Sequence, residues 1–150
     1  MELLKPTTRS IFNSPCQVLV CPTNILGVMG NGLARAYRDR YDGLYEVFQR
    51  RCRMNYISNR GLNISNLVSV GNGKHVLMFP TKSHFLDDSK IEYIEAALYS
   101  LPGLLREMGL TSIAFPKVGC GKGNLNWELD VRPLLIRELG LTEFSVEIYE

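Results

Sequence analysis

Apolar residues fall into short β-branched and aliphatic runs, separated by longer segments in which they recur every three or four positions. The first run, Cys16-Gln17-Val18-Leu19-Val20-Cys21, is closed by Pro22 and too short for a helix, so it predicts a buried strand. Leu33 to Arg40 reads as a helix with Arg35, Arg38 and Arg40 on its outer side. Asp42-Gly43 then turns the chain into a second helix from Leu44 to Arg53, with Leu44, Val47 and Phe48 at i, i+3 and i+4. Its basic group, Arg50, Arg51 and Arg53, reads as a solvated face. Asn55 to Asn66 is polar and irregular, the pattern of a surface loop. Leu67 to Val70 and His75 to Phe79, joined by Gly71-Asn72-Gly73-Lys74, predict a hairpin.

Beyond the hairpin, Ser89-x-x-Glu92 has the form of a capping box, followed by Ile91, Ile94, Ala97, Leu98 and Leu101 on one helical face. Pro102-Gly103 is expected to break or kink that helix, and Gly109 to end it. Thr111 to Phe115 is a strand stopped by Pro116. The last helix is expected to begin with Asp130 as N-cap and Pro133 in its first turn, and to end at Gly140. Phe144 to Tyr149 alternates as a closing strand. Strands alternating with helices predict one three-layer α/β/α domain over residues 1–150, with a central mixed, mostly parallel sheet that takes ligands outside the carboxyl ends of its strands.

Composition changes this picture little. With 150 residues, 45% hydrophobic and 21% charged, the chain has the make-up of an ordinary globular domain rather than a disordered one. A net charge of +2 lacks the basic excess of a dedicated duplex binder, so nucleic acid would be met at a site and not by the whole surface. Cys16, Cys21, Cys52 and Cys120 contain no C-x-x-C pair, and only His75 and His84 accompany them, so they read as free thiols and no metal site is expected. Met1 to Pro6 lacks the apolar core of a signal peptide, and no run approaches the ~20 residues of a membrane span. A cytoplasmic protein is expected. Nothing in the pattern specifies an oligomeric state.

Chemistry concentrates in two glycine-rich loops, each directly after an apolar strand. The first, Gly27-x-x-Gly30-x-Gly32, matches neither G-x-G-x-x-G nor a P-loop, and it reads either as turn chemistry or as a backbone cradle for phosphate. The second is Gly119-Cys120-Gly121-Lys122-Gly123. Side by side at one end of a sheet, they would form a bipartite site for two phosphates or a phosphate and a sugar.

From about Ser10 to Tyr149 the chain resembles a macro domain, the ADP-ribose-binding fold. The resemblance is carried by Asn24 with Gly27-Val28-Met29-Gly30-Asn31-Gly32-Leu33-Ala34, by Phe79-Pro80-Thr81-Lys82, by Pro116-Lys117-Val118-Gly119-Cys120-Gly121, and by Leu125-Asn126-Trp127 with Val131-Arg132-Pro133. The glycine and Phe-Pro-Thr-Lys elements are most similar to the group containing the DarG antitoxins, which remove ADP-ribose from thymidine in DNA, and the terminal ADP-ribose protein glycohydrolases. The resemblance implies ADP-ribose contacts from Asn24 and from Gly27, Val28, Met29, Gly30, Asn31, Gly32 and Leu33. It implies others from Thr81, Lys82 and Pro116, and from Val118, Gly119, Cys120, Gly121, Lys122 and Gly123. Lys82 falls on the group's catalytic lysine, Asn24 would bond the distal ribose and so join Lys82 as a catalytic residue, and Tyr149 would stack on adenine. Ser10 and Ile11 are implied as ADP-ribose contacts too; they stand where many macro domains have an Asp-Ile whose aspartate holds the adenine amino group, so selectivity by a carboxylate is not implied. The glycohydrolase branch has an aspartate where this chain has Gly123, which favours the DNA-type branch or a mechanism without that acid.

A lysine amine titrates near ~10.4 and is a poor nucleophile at neutral pH unless desolvation or a helix N-terminus lowers that value. The helix near Ser89 is the expected source. Two routes stay open: Lys82 attacks C1″ of the distal ribose, or it positions or protonates the leaving group while water attacks. Three functions stay open too. They are an ADP-ribosyl hydrolase acting on thymidine-linked ADP-ribose in DNA or on protein carboxylates, an ADP-ribose-1″-phosphate phosphatase, and a non-catalytic reader. No cofactor is implied. Beside these, His84 reads as an incidental neighbour, Asn24 as a turn residue, Tyr149 as strand packing, Cys120 as a small filler and Trp127 as a core anchor.

Overall fold

The apolar run that ends in Thr23 forms the central strand, β1 (Val18–Thr23), and the remaining strands assemble around it. A computed structural model describes residue 7 and residues 9–150. After β1 come α1 (Gly32–Arg40), α2 (Leu44–Arg53), β2 (Leu67–Gly71), β3 (Lys74–Pro80), α3 (Ile91–Glu107), β4 (Ser112–Pro116), α4 (Arg132–Leu139) and β5 (Ser145–Tyr149). The sheet order is β2-β3-β1-β4-β5. β3, β1, β4 and β5 run parallel, and β2 pairs antiparallel with β3 through the predicted hairpin. The mixed, mostly parallel sheet is therefore as expected.

Both faces of the central strands are buried, which explains their near-continuous apolar sequence. Val18, Val20, Leu77, Phe79, Ile113, Phe115, Val146 and Ile148 face α3 and α4. Leu19, Cys21, Val76, Met78 and Ala114 face the opposite layer, where α1 contributes Tyr37 and α2 contributes Leu44, Phe48 and Cys52. All four cysteines are free. No helix among the described residues is long and apolar enough to cross a membrane.

Four local expectations are corrected by tertiary structure. Pro102 does not break α3, which runs unbroken to Glu107. A proline inside a helix costs ~3 kcal/mol, whereas burying a single leucine-sized side chain contributes ~1.5–3 kcal/mol, and this helix buries Ile94, Leu98, Leu101, Leu104 and Leu105. The Ser89/Glu92 capping box does not form. Lys90 is the N-cap and makes no side-chain cap bond, because the neighbouring N–H groups are spent on other loops: Ser89 N–H donates to Gly123 O (2.9 Å) and Lys90 N–H to Thr81 O (2.8 Å). Asp130 is not a helix N-cap either. Asn126 caps a wide turn, Trp127–Val131, by accepting from Leu129 N–H, while Asp130 accepts from Asn126 N–H and α4 starts two residues later with Pro133 in its first turn. Arg51 leaves the solvated basic face, donating through Nη1 to Ser65 O (2.9 Å) and Leu67 O (2.8 Å) and so fastening α2 to β2.

Candidate functional site

Four parallel strands end along one edge of the sheet, so the residues that follow them line up there. Thr23 pairs with Pro80 and Pro116 with Tyr149, which brings Asn24, Thr81, Lys117 and Glu150 to the same edge. β1 pairs with β4 only at Val18 and Leu19; beyond that the two central strands part. The chain leaves β1 into the α1/α2 layer and leaves β4 toward the α4 layer, and such a switch point is where open α/β sheets bind ligands. A cleft of about 690 Å³ opens there, within the ~300–1,000 Å³ range of small-molecule sites. Tyr37 braces the parting strands, its hydroxyl donating to Val20 O (2.9 Å) just past the last β1–β4 pair.

Asn24 builds the first loop from below. Its buried Oδ1 accepts from the N–H groups of Leu26 (3.0 Å), Gly27 (3.2 Å) and Val28 (3.3 Å), and its Nδ2 donates to Val28 O (3.0 Å). Most of its capacity thus orients the loop, and one Nδ2 hydrogen remains for a ligand. The loop glycines do different jobs. Gly27 has φ +86, and a Cβ there would lie 3.2 Å from Gln49 Cα, so packing on α2 excludes a side chain. Gly32 has φ +61 with nothing within 4 Å of a built Cβ, and it faces the cleft. It begins α1, whose first intrahelical bond is Arg35 N–H to Asn31 O and whose N-cap Asn31 supplies no side-chain bond. The amides of that first turn remain available, an arrangement suited to an anion.

The second loop folds on itself through Cys120 N–H to Lys117 O (3.2 Å), Asn124 N–H to Gly121 O (3.1 Å) and Leu125 N–H to Gly119 O (2.9 Å). Its tip, Gly121 and Lys122, is exposed toward the cleft. Cys120 donates to Val118 O (3.3 Å), and burial pushes its thiol up to about 11, with Asp130 adding to that and Lys117 opposing it. A thiol that stays protonated at neutral pH is a filler rather than a nucleophile.

Lys82, just past the end of β3, stands in the cleft wall, half-buried, and makes no hydrogen bond or ion pair with another described residue. Lys117 and Lys122 also line the cleft, against the single carboxylate of Glu150, which lies 3.8 Å from Lys117 Nζ. The surroundings favour an anionic ligand.

Of the residues singled out from sequence, the cleft brings together Asn24, Val28, Gly30, Asn31, Gly32, Leu33, Thr81, Lys82 and Pro116, with Gly119, Cys120, Gly121, Lys122 and Gly123. It does not bring in Gly27, Met29 or Val118, whose places are in the packing behind the loops. Ser10 Oγ accepts from Phe12 N–H at the head of a short turn, and Ile11 is buried. Tyr149 is 2% exposed, packs in the α1/α2 layer and donates to Glu147 Oε1 (2.7 Å), so its ring does not line the cleft. His84 stacks on Phe85 with centroids 4.3 Å apart. Trp127 is buried, as a core anchor would be.

Sequence reasoning passed over Thr23, Phe85, Ser89, Lys117 and Glu150, all of which line the cleft. Lys117 and Glu150 directly follow strand ends and were findable on that ground. Phe85, which with Leu86 forms the apolar pair of a polar connection, offered a weaker signal. Two of the cleft hydroxyls, Thr23 Oγ1 and Ser89 Oγ, are buried without a partner among the described residues.

A family model described as Macro domain matches residues 20–132. The chain is 32% identical over 126 residues to a DNA ADP-ribosyl glycohydrolase of Mycobacterium tuberculosis, covering 84% of this chain and 36% of that protein. It therefore spans little more than a third of the length of that relative. Among solved structures, the macrodomain of Mycobacterium tuberculosis DarG matches with a TM-score of 0.87 and 30% identity, over 96% of this chain and 95% of that one. Thermosipho africanus DarTG in complex with ADP-ribose matches with a TM-score of 0.81 and 33% identity, over 93% of this chain and 39% of that one.

Proposed function

The chain belongs to the macro domain family, and from that premise we propose that it is an ADP-ribosyl hydrolase that releases ADP-ribose from thymidine-modified DNA. The observation that carries the reading is Lys82, set without a partner in the wall of a cleft flanked by two backbone-amide loops. The first turn of α1 and the tip of the second loop hold the diphosphate. Its binding energy orients the distal ribose, because contacts remote from the reacting bond can be used to position it. Asn24 keeps the first loop in shape and offers its remaining Nδ2 hydrogen. At the far end, Lys82 meets C1″. The bond between C1″ and the modified base breaks, water supplies the hydroxyl that C1″ receives, and the base leaves with a proton. Lys82 serves either as the amine that first bonds C1″ and is then displaced by water, or as the ammonium that protonates the leaving base.

DNA is favoured over protein as the carrier for three reasons. The sequence relative cited above is named a DNA ADP-ribosyl glycohydrolase. Gly123 offers no acid in the second loop. Phe85, 43% exposed beside Lys82, gives a base a ring to stack on. The test incubates the protein in parallel with thymidine-ADP-ribosylated oligonucleotide, glutamate-ADP-ribosylated protein and ADP-ribose-1″-phosphate. Release from the oligonucleotide is expected to be fastest. Phosphate release from the third alone would overturn the reading. Lys82→Ala is expected to abolish turnover while calorimetric affinity for ADP-ribose survives.

A further inference from the structure

Ser89 is 6% exposed, and its Oγ has no hydrogen-bond partner among the described residues. A buried hydroxyl left unpaired costs ~1–3 kcal/mol, so its presence calls for a reason. Helix capping is not that reason, since Lys90 occupies the N-cap of α3 and no side chain caps the helix. Packing alone is not the reason either, because alanine would fill nearly the same space without the unpaired oxygen.

Its surroundings supply one. Ser89 lies where three parts of the cleft are tied together. Its own N–H bonds Gly123 O in the second loop, and the next N–H bonds Thr81 O, directly before Lys82. The hydroxyl faces the second loop. A Cβ built on Gly123 would overlap Ser89 Oγ outright and come within 2.6 Å of Gly119 O, and a Cβ on Gly119 would lie 3.3 Å from Ser89 Cβ. Glycine at 123 thus leaves room for the serine hydroxyl at the inner wall of the loop, while glycine at 119 is required first by Ile94 and Leu125. Ser89 lines the same cleft as Lys82, Gly119 and Gly123.

We infer that Ser89 is a ligand-binding residue of the cleft, its hydroxyl pairing with a hydroxyl of the distal ribose next to the bond that Lys82 attends. This rests on the ADP-ribose reading above and deepens it. A serine hydroxyl both donates and accepts, which matches a sugar hydroxyl. Ser89 lines the cleft together with Lys82 and the glycines of the second loop, so a ribose held there lies against it.

The experiment compares wild type and Ser89→Ala by calorimetry with two probes, ADP-ribose and ADP, and by thermal denaturation without ligand. ADP keeps the adenosine and diphosphate but has no distal ribose. Ser89→Ala is expected to weaken ADP-ribose binding about fivefold to tenfold, the loss of one well-formed hydrogen bond, to leave ADP binding unchanged, and to leave the melting temperature unchanged or raised. Equal losses for both probes, or no loss for either, would overturn the assignment. Lack of ADP-ribose binding by the wild-type protein would end the underlying functional reading as well, and it would be seen without any variant.

Discussion

Gly27 and Gly32 stand five residues apart in one loop, yet they should fail in opposite ways when given a methyl group. At Gly27 an alanine meets φ +86 and a Cβ 3.2 Å from the backbone of Gln49. The left-handed conformation costs ~1–2 kcal/mol, and easing α2 aside by a few tenths of an ångström brings the total to about 2–3 kcal/mol. For a chain of this length that is a fall in melting temperature of roughly 4–12 °C. Gly32 has φ +61 but open space around a Cβ, so Gly32→Ala carries the backbone penalty alone, about 1–2 kcal/mol. Its methyl group, however, stands in the cradle at the start of α1. ADP-ribose affinity should then drop at least about tenfold, or ~1.4 kcal/mol, while Gly27→Ala binds within about threefold of wild type once folded. Thermal denaturation and calorimetry at a temperature where both variants are folded decide the matter. If Gly27→Ala loses more affinity than Gly32→Ala and keeps its melting temperature, the division of labour between the two glycines is wrong.

Two further outcomes are expected. Phe85→Ala should lower kcat/KM on ADP-ribosylated oligonucleotide by about tenfold, the loss of one base-stacking surface, with calorimetric affinity for free ADP-ribose unchanged; an equal loss on both would mean that the ring serves ADP-ribose itself. Arg106 grips Glu143 through two bonds (2.7 and 3.0 Å) and holds its carboxyl down to about 2, below the usual ~4.3 of glutamate. A folded-state value below the unfolded one adds stability above pH ~4.3 that is lost as pH falls toward the folded value. Glu143→Gln should therefore flatten denaturant-measured stability against pH in that window, and because the pair is exposed the difference should shrink in high salt.

The elements that sequence periodicity located well are those whose burial is one-sided and local. α2 occupies the expected Leu44–Arg53 because Leu44, Phe48 and Cys52 fall on one face, and the hairpin follows its glycine turn. The errors share a physical origin. Ser89 and Asp130 have the composition of caps, but the donors they would satisfy, or the turn they would start, are claimed by residues distant in sequence or by a neighbouring asparagine. Pro102 is a breaker overruled by the apolar face of α3. The two loops and Lys82 were legible because glycine and a strand end mark them locally. Tyr149 was misjudged because its residue type suggested stacking, whereas alternation with Val146 and Ile148 turns it into the α1/α2 layer. The unpaired hydroxyls of Thr23 and Ser89 had no sequence signature at all, since being unpaired is a property of neighbours.

The parting of β1 from β4 after Leu19 has a consequence for cooperativity. The floor of the cleft is a seam in the middle of the sheet, with one hydrophobic layer behind each lip. A ligand seated in the cleft touches the ends of both strands, Thr23 and Asn24 after β1 and Pro116 and Lys117 after β4, so its binding should couple the two halves of the sheet. Slowed hydrogen exchange on binding should then appear first at Val20, just past the last β1–β4 pair, and spread into both helical layers, whereas a site borne on surface loops would protect only the loops.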